Sequence, residues 1–194
     1  HTNLLGAFQF NNAAIAITLF LLWLNRAACK KPAAEIETAV RSGLRQTSWS
    51  GRLEVISEHP LTIVDVGHTP DAIRQSLASL KQIHGAQDWI LVVGVSVDKK
   101  IEEIVGALAP SFETIVCTRA HHKGADVSII AAACRNFNLK AKIRLAPTIE
   151  GAFKTSRALA TPLRRKIYVA GGLFTAIEFA AIARGQSVDD LAFL

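Results

Sequence analysis

Apolar residues follow two rhythms along this chain, and the change between them divides it. From residue 52 onward, short apolar or β-branched runs alternate with longer stretches whose apolar residues return every three or four positions. The runs predict strands at 52–57, 61–66, 89–95, 113–118, 141–145 and 166–170. The longer stretches predict helices at 70–84, 99–109, 124–136, 147–159 and 173–184; in the first, Ile73, Leu77, Leu80 and Ile83 share one face. Ser57-Glu58-His59-Pro60 separates the first two strands too briefly for a crossover, so they form an antiparallel hairpin. Later strands alternate with helices, which calls for parallel pairing. The expected fold is α/β: a Rossmann-like, mostly parallel sheet with an antiparallel hairpin strand, helices on both faces, preceded by two helices.

The two leading helices read differently. Asn11 to about Ala28 is apolar nearly all round, with Asn11 or Asn12 available as N-cap, and this predicts a buried helix. Its apolar run, Ala13 to Leu24, has twelve residues, where spanning a bilayer takes about 20, and no secretory leader pattern accompanies it. A second helix, about Pro32 to Gln46, sets Ile36, Val40 and Leu44 on one stripe. Two helices without a sheet make a poor stand-alone domain.

Composition narrows the class. Half of the 194 residues are hydrophobic, ample for one buried core. The net charge of +6 reads first as a solvated, mildly basic exterior and otherwise as an attraction for polyanions such as ATP or a glutamate tail; no Lys/Arg block or basic-aromatic alternation marks a nucleic-acid surface. Cys29, Cys117 and Cys134 lack metal-ligand spacing and read as buried reduced thiols of a cytoplasmic protein. The absence of methionine and the start at His1 suggest processing or a longer parent chain.

Candidate chemistry gathers between Trp49 and Asp71. Asp65 ends a strand and His68 sits in the turn before a helix opened by Pro70, the carboxyl-edge position where open α/β sheets bind ligands. Arg52 follows Gly51 at the boundary, a fixed fork of donors suited to phosphate or to a salt bridge. By residue type alone, Asp65 equally suits a helix cap, and His68 a structural hydrogen bond. No G-x-G-x-x-G follows the first strands, so dinucleotide binding finds no support.

W-S-G-R-L-E at Trp49 to Glu54, V-D-V-G-H-T-P at Val64 to Pro70, G-A-F-Q-F-N-N-A-A at Gly6 to Ala14, G-V-S-V-D-K-K at Gly94 to Lys100 and A-G-G-L-F at Ala170 to Phe174 together resemble the folylpolyglutamate synthase and dihydrofolate synthase family, within the wider Mur ligase group. The resemblance covers essentially the whole chain. It implies that residues 1–46 are the helical end of a central ATP-binding domain and 47–194 a Mur ligase-like carboxy-terminal domain. It implies that Asn12, Arg52 and Asp65 contact ATP. His68 would lie between the nucleotide phosphates and the incoming glutamate, orienting substrate or stabilising charge rather than acting as a general base. ATP with Mg2+, glutamate and a folate are the implied ligands, and the missing central domain the implied partner, with no nucleic acid and no membrane.

Departures from the family pattern fall mostly on the amino-acid side. Val66-Gly67 replaces glycine-alanine, Thr69 replaces asparagine, Phe8 replaces histidine, and Gly172 stands where a glutamate-associated serine is usual. No G-x-x-x-x-G-K-[ST] occurs, so the triphosphate cradle and magnesium ligands are expected outside the chain, which alone should bind ATP weakly or undetectably and catalyse nothing. The loop Thr118 to Asp126 offers Arg119, His121, His122 and Lys123 to anions, or is a polar surface loop; Asp98-Lys99-Lys100 also resembles a family segment, or is a helix start. A cell-wall Mur ligase domain and a non-catalytic nucleotide-binding or regulatory module stay open beside the folate reading.

Overall fold

The computed structural model describes residues 2–28 and 30–191, in two compact units that part between Ser50 and Gly51. Cys29 lies outside the described residues.

The first unit holds α1 (Phe8–Arg26) and α2 (Ala33–Gln46). Asn3 Nδ2 donates to the Arg45 carbonyl and so ties the lead-in of α1 to the end of α2. Two expectations need correction. Helix α1 begins one turn before Asn11, after Ala7, so neither asparagine caps it; Asn12 instead donates through Nδ2 to Gln9 Oε1 within the helix. Nor is α1 buried: Gln9 is its one buried residue, while Phe10, Ile15, Leu19, Leu22 and Trp23 are each about 60% exposed or more. A helix apolar all round needs cover on every side, and the unit offers it one amphipathic helix with no buried residue of its own. By length and composition α1 is long and apolar enough to cross a membrane.

The second unit is a six-stranded sheet. Its strands are β1 (Glu54–Glu58), β2 (Leu61–Val64), β3 (Trp89–Val93), β4 (Thr114–Thr118), β5 (Lys142–Ala146) and β6 (Lys166–Ala170), in spatial order β1-β2-β6-β3-β4-β5. The β1–β2 hairpin is antiparallel and every other neighbour pair parallel. Five helices complete it: α3 (Pro70–His84), α4 (Ile101–Leu108), α5 (Val127–Phe137), α6 (Ile149–Ala160) and α7 (Leu173–Ala183).

Strands β3 and β4 are buried along their whole length and β6 from Ile167 on, because helices cover both faces. Alternate residues divide between those faces. Ile90, Val92, Val116, Ile167 and Val169 pack with Ala152, Ala160, Ala176 and Phe179 of α6 and α7. On the other face, Cys117 of β4 meets Cys134 of α5 with sulfurs 3.8 Å apart, both thiols free and buried. The outer strand β5 keeps Lys142 and Arg144 exposed, charges that discourage pairing with a foreign strand.

Strand β1 starts later than expected because Leu53 adopts φ +47, which breaks the extended run. Phe179 is fully buried, its ring edge-on to Phe153 at 5.5 Å. Phe179→Ala should lower unfolding stability by about 3–5 kcal/mol in urea titration; a loss under about 1 kcal/mol would show that α7 is not part of the cooperative core.

Candidate functional site

The chain leaving β2 turns around one carboxyl group. The Asp65 amide donates to the Val169 carbonyl at 2.9 Å, extending the β2–β6 ladder by one residue. Its side chain has no exposure, and its oxygens accept from the Leu53 amide (3.4 Å), the Gly67 amide (3.3 Å) and the Tyr168 hydroxyl (3.3 Å). Burial raises the Asp65 pKa, and hydrogen bonding from Ser76, Leu53 and Gly67 and the charge of Arg52 partly offset that rise. Burial, then the neighbouring Asp65 charge, holds the Tyr168 phenol well above its ordinary pKa, so it remains a donor.

Two of these donors set the candidate residues. Leu53 is buried in the left-handed region, directly after Arg52. Gly51, at φ +78, accepts from the Val66 amide at 2.7 Å, and a side chain there would run into Val66 Cγ1. The Gly51 amide in turn donates to Glu54, which also pairs with Arg184 at the end of α7. Arg52 is thus held on both sides while its half-buried guanidinium makes no hydrogen bond or ion pair among the described residues.

Gly67 precedes His68, which is exposed, with Nδ1 3.3 Å from the Val66 carbonyl. A carbonyl accepts only, so this bond requires the proton on Nδ1 and leaves Nε2 of the neutral ring as an acceptor. Thr69 caps α3 by accepting from the Ala72 amide, and Pro70 opens the helix. Arg52, Asp65 and His68 are brought together in this way; Asn12 belongs to the first unit.

Beside this turn the topology switches. The chain leaves β6 for α7, which packs with α6 on one face, and leaves β3 for α4, which packs with α3 and α5 on the other, the arrangement that sets ligand sites outside the strand ends of open α/β sheets. Two glycines permit the close approach there: a Cβ on Gly171 would stand 2.5 Å from the Gly94 carbonyl, and one on Gly94 2.5 Å from Thr175 Oγ1. Ser96 is 7% exposed and Thr175 2%, and neither hydroxyl has a hydrogen-bond partner among the described residues. Ser96 Oγ lies 3.9 Å from where a Cβ on Gly172 would be, so a hydroxyl from the loop after β3 stands near the position that carries none between β6 and α7.

The Thr118–Asp126 loop is fastened from three sides. The His121 and His122 amides donate to the Glu178 carboxylate at 2.6 and 2.9 Å, the Val97 amide donates to the Lys123 carbonyl, and the Ala125 amide to the Val95 carbonyl. Glu178 is fully buried in α7. Sequence reasoning passed over it, although an acid inside the apolar run L-F-T-A-I-E-F-A-A-I-A is itself a signal. A cavity of about 230 Å³ opens here, lined by Arg119 and His121 but also by Glu150 and Glu178, so its charge is mixed. Lys99 pairs with Asp98, and Lys100 with Glu103 of the helix it precedes. Among the described residues no three His, Cys, Asp or Glu side chains converge as a metal site.

A raised carboxyl pKa favours the folded state below the unfolded value, and that advantage is lost as pH rises through the folded one. The Asp65 carboxyl carbon should therefore titrate in NMR above the ordinary 3.8. Stability relative to Asp65→Asn should fall across the same interval. A midpoint at or below 3.8 would contradict the buried, desolvated geometry.

Comparison with known proteins agrees with this architecture. A probable bifunctional folylpolyglutamate synthase/dihydropteroate synthase of Haloferax volcanii is 32% identical over 175 residues, 90% of this chain and 20% of that protein. The structure of Mycobacterium tuberculosis folylpolyglutamate synthase complexed with ADP and AMPPCP superposes with a TM-score of 0.81 at 23% identity, over 96% of this chain and 42% of the other. The Yersinia pestis bifunctional folylpolyglutamate synthase/dihydrofolate synthase with Mn, AMPPNP and L-glutamate bound superposes with a TM-score of 0.61 at 25% identity, over 80% of this chain and 36% of the other. The chain thus spans less than half the length of each of these proteins. The family model described as Mur ligase, glutamate ligase domain matches residues 51–174, from the Gly51 turn to the start of α7, and the chain belongs to that family.

Proposed function

We propose that this chain is the carboxy-terminal part of an ATP-dependent, ADP-forming ligase that adds glutamate to a folate. The observation that carries the reading is the carboxyl edge of this glutamate ligase domain, where Arg52, which makes no hydrogen bond or ion pair among the described residues, and the exposed His68 share an edge with the Ser96 and Thr175 hydroxyls. In such a reaction a folate carboxylate oxygen attacks the terminal phosphorus of ATP and ADP leaves; the neutral glutamate amine then attacks the acyl carbon, the acyl carbon–oxygen bond to phosphate breaks, phosphate leaves, and the proton from nitrogen passes to water or to the departing phosphate. Arg52 offers its donor fork to the nucleotide phosphates. Asp65, its carboxyl buried and bonded, serves the nucleotide site by holding the Arg52 and His68 segments in place. The outward Nε2 of His68 accepts a hydrogen bond from the glutamate amine and orients it without acting as the base. Ser96 and Thr175 donate to a glutamate carboxylate, in the role left open by Gly172.

The described residues bring no three His, Cys, Asp or Glu side chains together as ligands for a magnesium ion. The phosphate-binding loop is absent from the sequence, so this reading requires a central ATP-binding domain that supplies both the cradle and the metal ligands.

The 194-residue chain should release no phosphate from ATP, and joining it to that domain should restore turnover; sustained hydrolysis by the chain alone would misplace the catalytic apparatus. In the joined enzyme, Ser96→Ala should raise KM for glutamate about tenfold and leave KM for ATP unchanged. His68→Ala should lower kcat more than it raises KM for ATP, the mark of an interaction formed during transfer. Steady-state kinetics with ATP and glutamate varied separately make both measurements, and wild-type values in both variants would remove the proposed site.

A further inference from the structure

The amino-terminal edge of the sheet carries a cavity that the ligase reading does not use. It occupies about 480 Å³ where β2 and β6 begin, walled by the His59–Pro60 turn and by Arg157, Arg164, Arg165 and Lys166. Two of these cations have structural work. Arg165 donates to Thr114 Oγ1 and to the Trp89 carbonyl, and Lys166 donates to the His84 carbonyl while lying 4.9 Å from the centre of the Trp89 ring. The other two do not. The Arg157 guanidinium reaches the His59 carbonyl at 3.5 Å, the limit of a hydrogen bond, and sits over the Phe153 ring. Arg164, at φ +50 in the turn after α6, is exposed and its side chain makes no hydrogen bond among the described residues.

None of the four forms an ion pair among the described residues, and Glu58 is the one acid in the wall. Concave clustering of one sign over low-dielectric walls focuses the field and concentrates counter-ions. Two guanidinium forks each match a phosphate or carboxylate in bidentate fashion, and Lys166 adds a point charge between structural contacts. Pro60, Leu61 and Ala160 give the cavity an apolar part, and its volume is that of a small-molecule site.

We propose that this cavity binds a small multivalent anion, a compound with two or more phosphate or carboxylate groups on a compact frame. The site is separate from the carboxyl-edge site, since it lies at the opposite ends of β2 and β6, and it stands or falls independently of the ligase reading.

The test is calorimetry and amide NMR of the 194-residue chain at low salt, titrated in separate arms with pyrophosphate and with citrate. At least one anion should bind saturably, with Kd rising as salt is added. The amide shifts should centre on residues 58–61 and 157–166. Tighter pyrophosphate binding would identify a phosphate ligand, and tighter citrate binding a carboxylate one. The double variant Arg157→Ala, Arg164→Ala should weaken binding about tenfold or more. Absence of saturable binding by either anion would overturn the proposal, as would shifts centred on residues 52–68 or 94–100. So would a folded double variant that binds as the wild type does. The shift map needs no substitution, so it decides the matter even if the double variant fails to fold.

Discussion

Burying Asp65 obliges the surrounding chain to supply hydrogen-bond donors, among them the amides of Leu53 and Gly67, the phenol of Tyr168 and the Ser76 side chain. Each amide sits beside a residue with free chemistry: Leu53 follows Arg52, and Gly67 precedes His68. One interior carboxyl group therefore sets the spacing between a cation and an imidazole that arrive from two different loops. The left-handed backbone at Leu53 is the cost of turning that amide inward. Tyr168 reaches the same carboxyl from β6, so the neighbouring strand shares in the constraint.

Charge on this domain is distributed by edge. The carboxyl ends of the strands mix signs: Glu178 is spent on two loop amides, and Asp98 faces Lys99. The amino ends of β2 and β6 collect cations with little to balance them. The net charge of +6 is thus not a uniform coat, and a molecule approaching in dilute salt meets two quite different surfaces.

Periodicity made the sheet legible because each strand and helix carries its own signature: W-I-L-V-V could scarcely be other than a buried strand, and Pro70 with the apolar stripe of α3 announces a helix. Strand order was not legible, since nothing local in K-I-Y-V-A says that it inserts between β2 and β3. The start of α1 was misjudged because asparagine is a favoured cap, yet Gly6 at φ +108 and the bonds from Gln9 to Gly6 and from Phe10 to Ala7 start the helix earlier. Its burial was misjudged because composition reports what a helix prefers, while cover depends on neighbours. At the site, the motif residues stood out in the sequence. Glu178 and Thr175 did not, and Ser96 was only one letter of G-V-S-V-D-K-K, because the importance of all three lies in which loops and helix they meet across the fold.

The placement of β6 also governs how this domain can come into being. The sixth strand along the chain fills the gap between β2 and β3, and Tyr168 and Asp65, partners in the finished molecule, are 103 positions apart. Until residues 166–170 leave the ribosome, the hairpin β1–β2 and the ladder β3–β4–β5 share no backbone pairing, and each presents an open apolar edge. Closure of so long a loop is slow and comes at the end. A nascent or truncated chain is most exposed to misassociation in that interval, and the Asp65 turn lacks its Tyr168 donor until the interval ends.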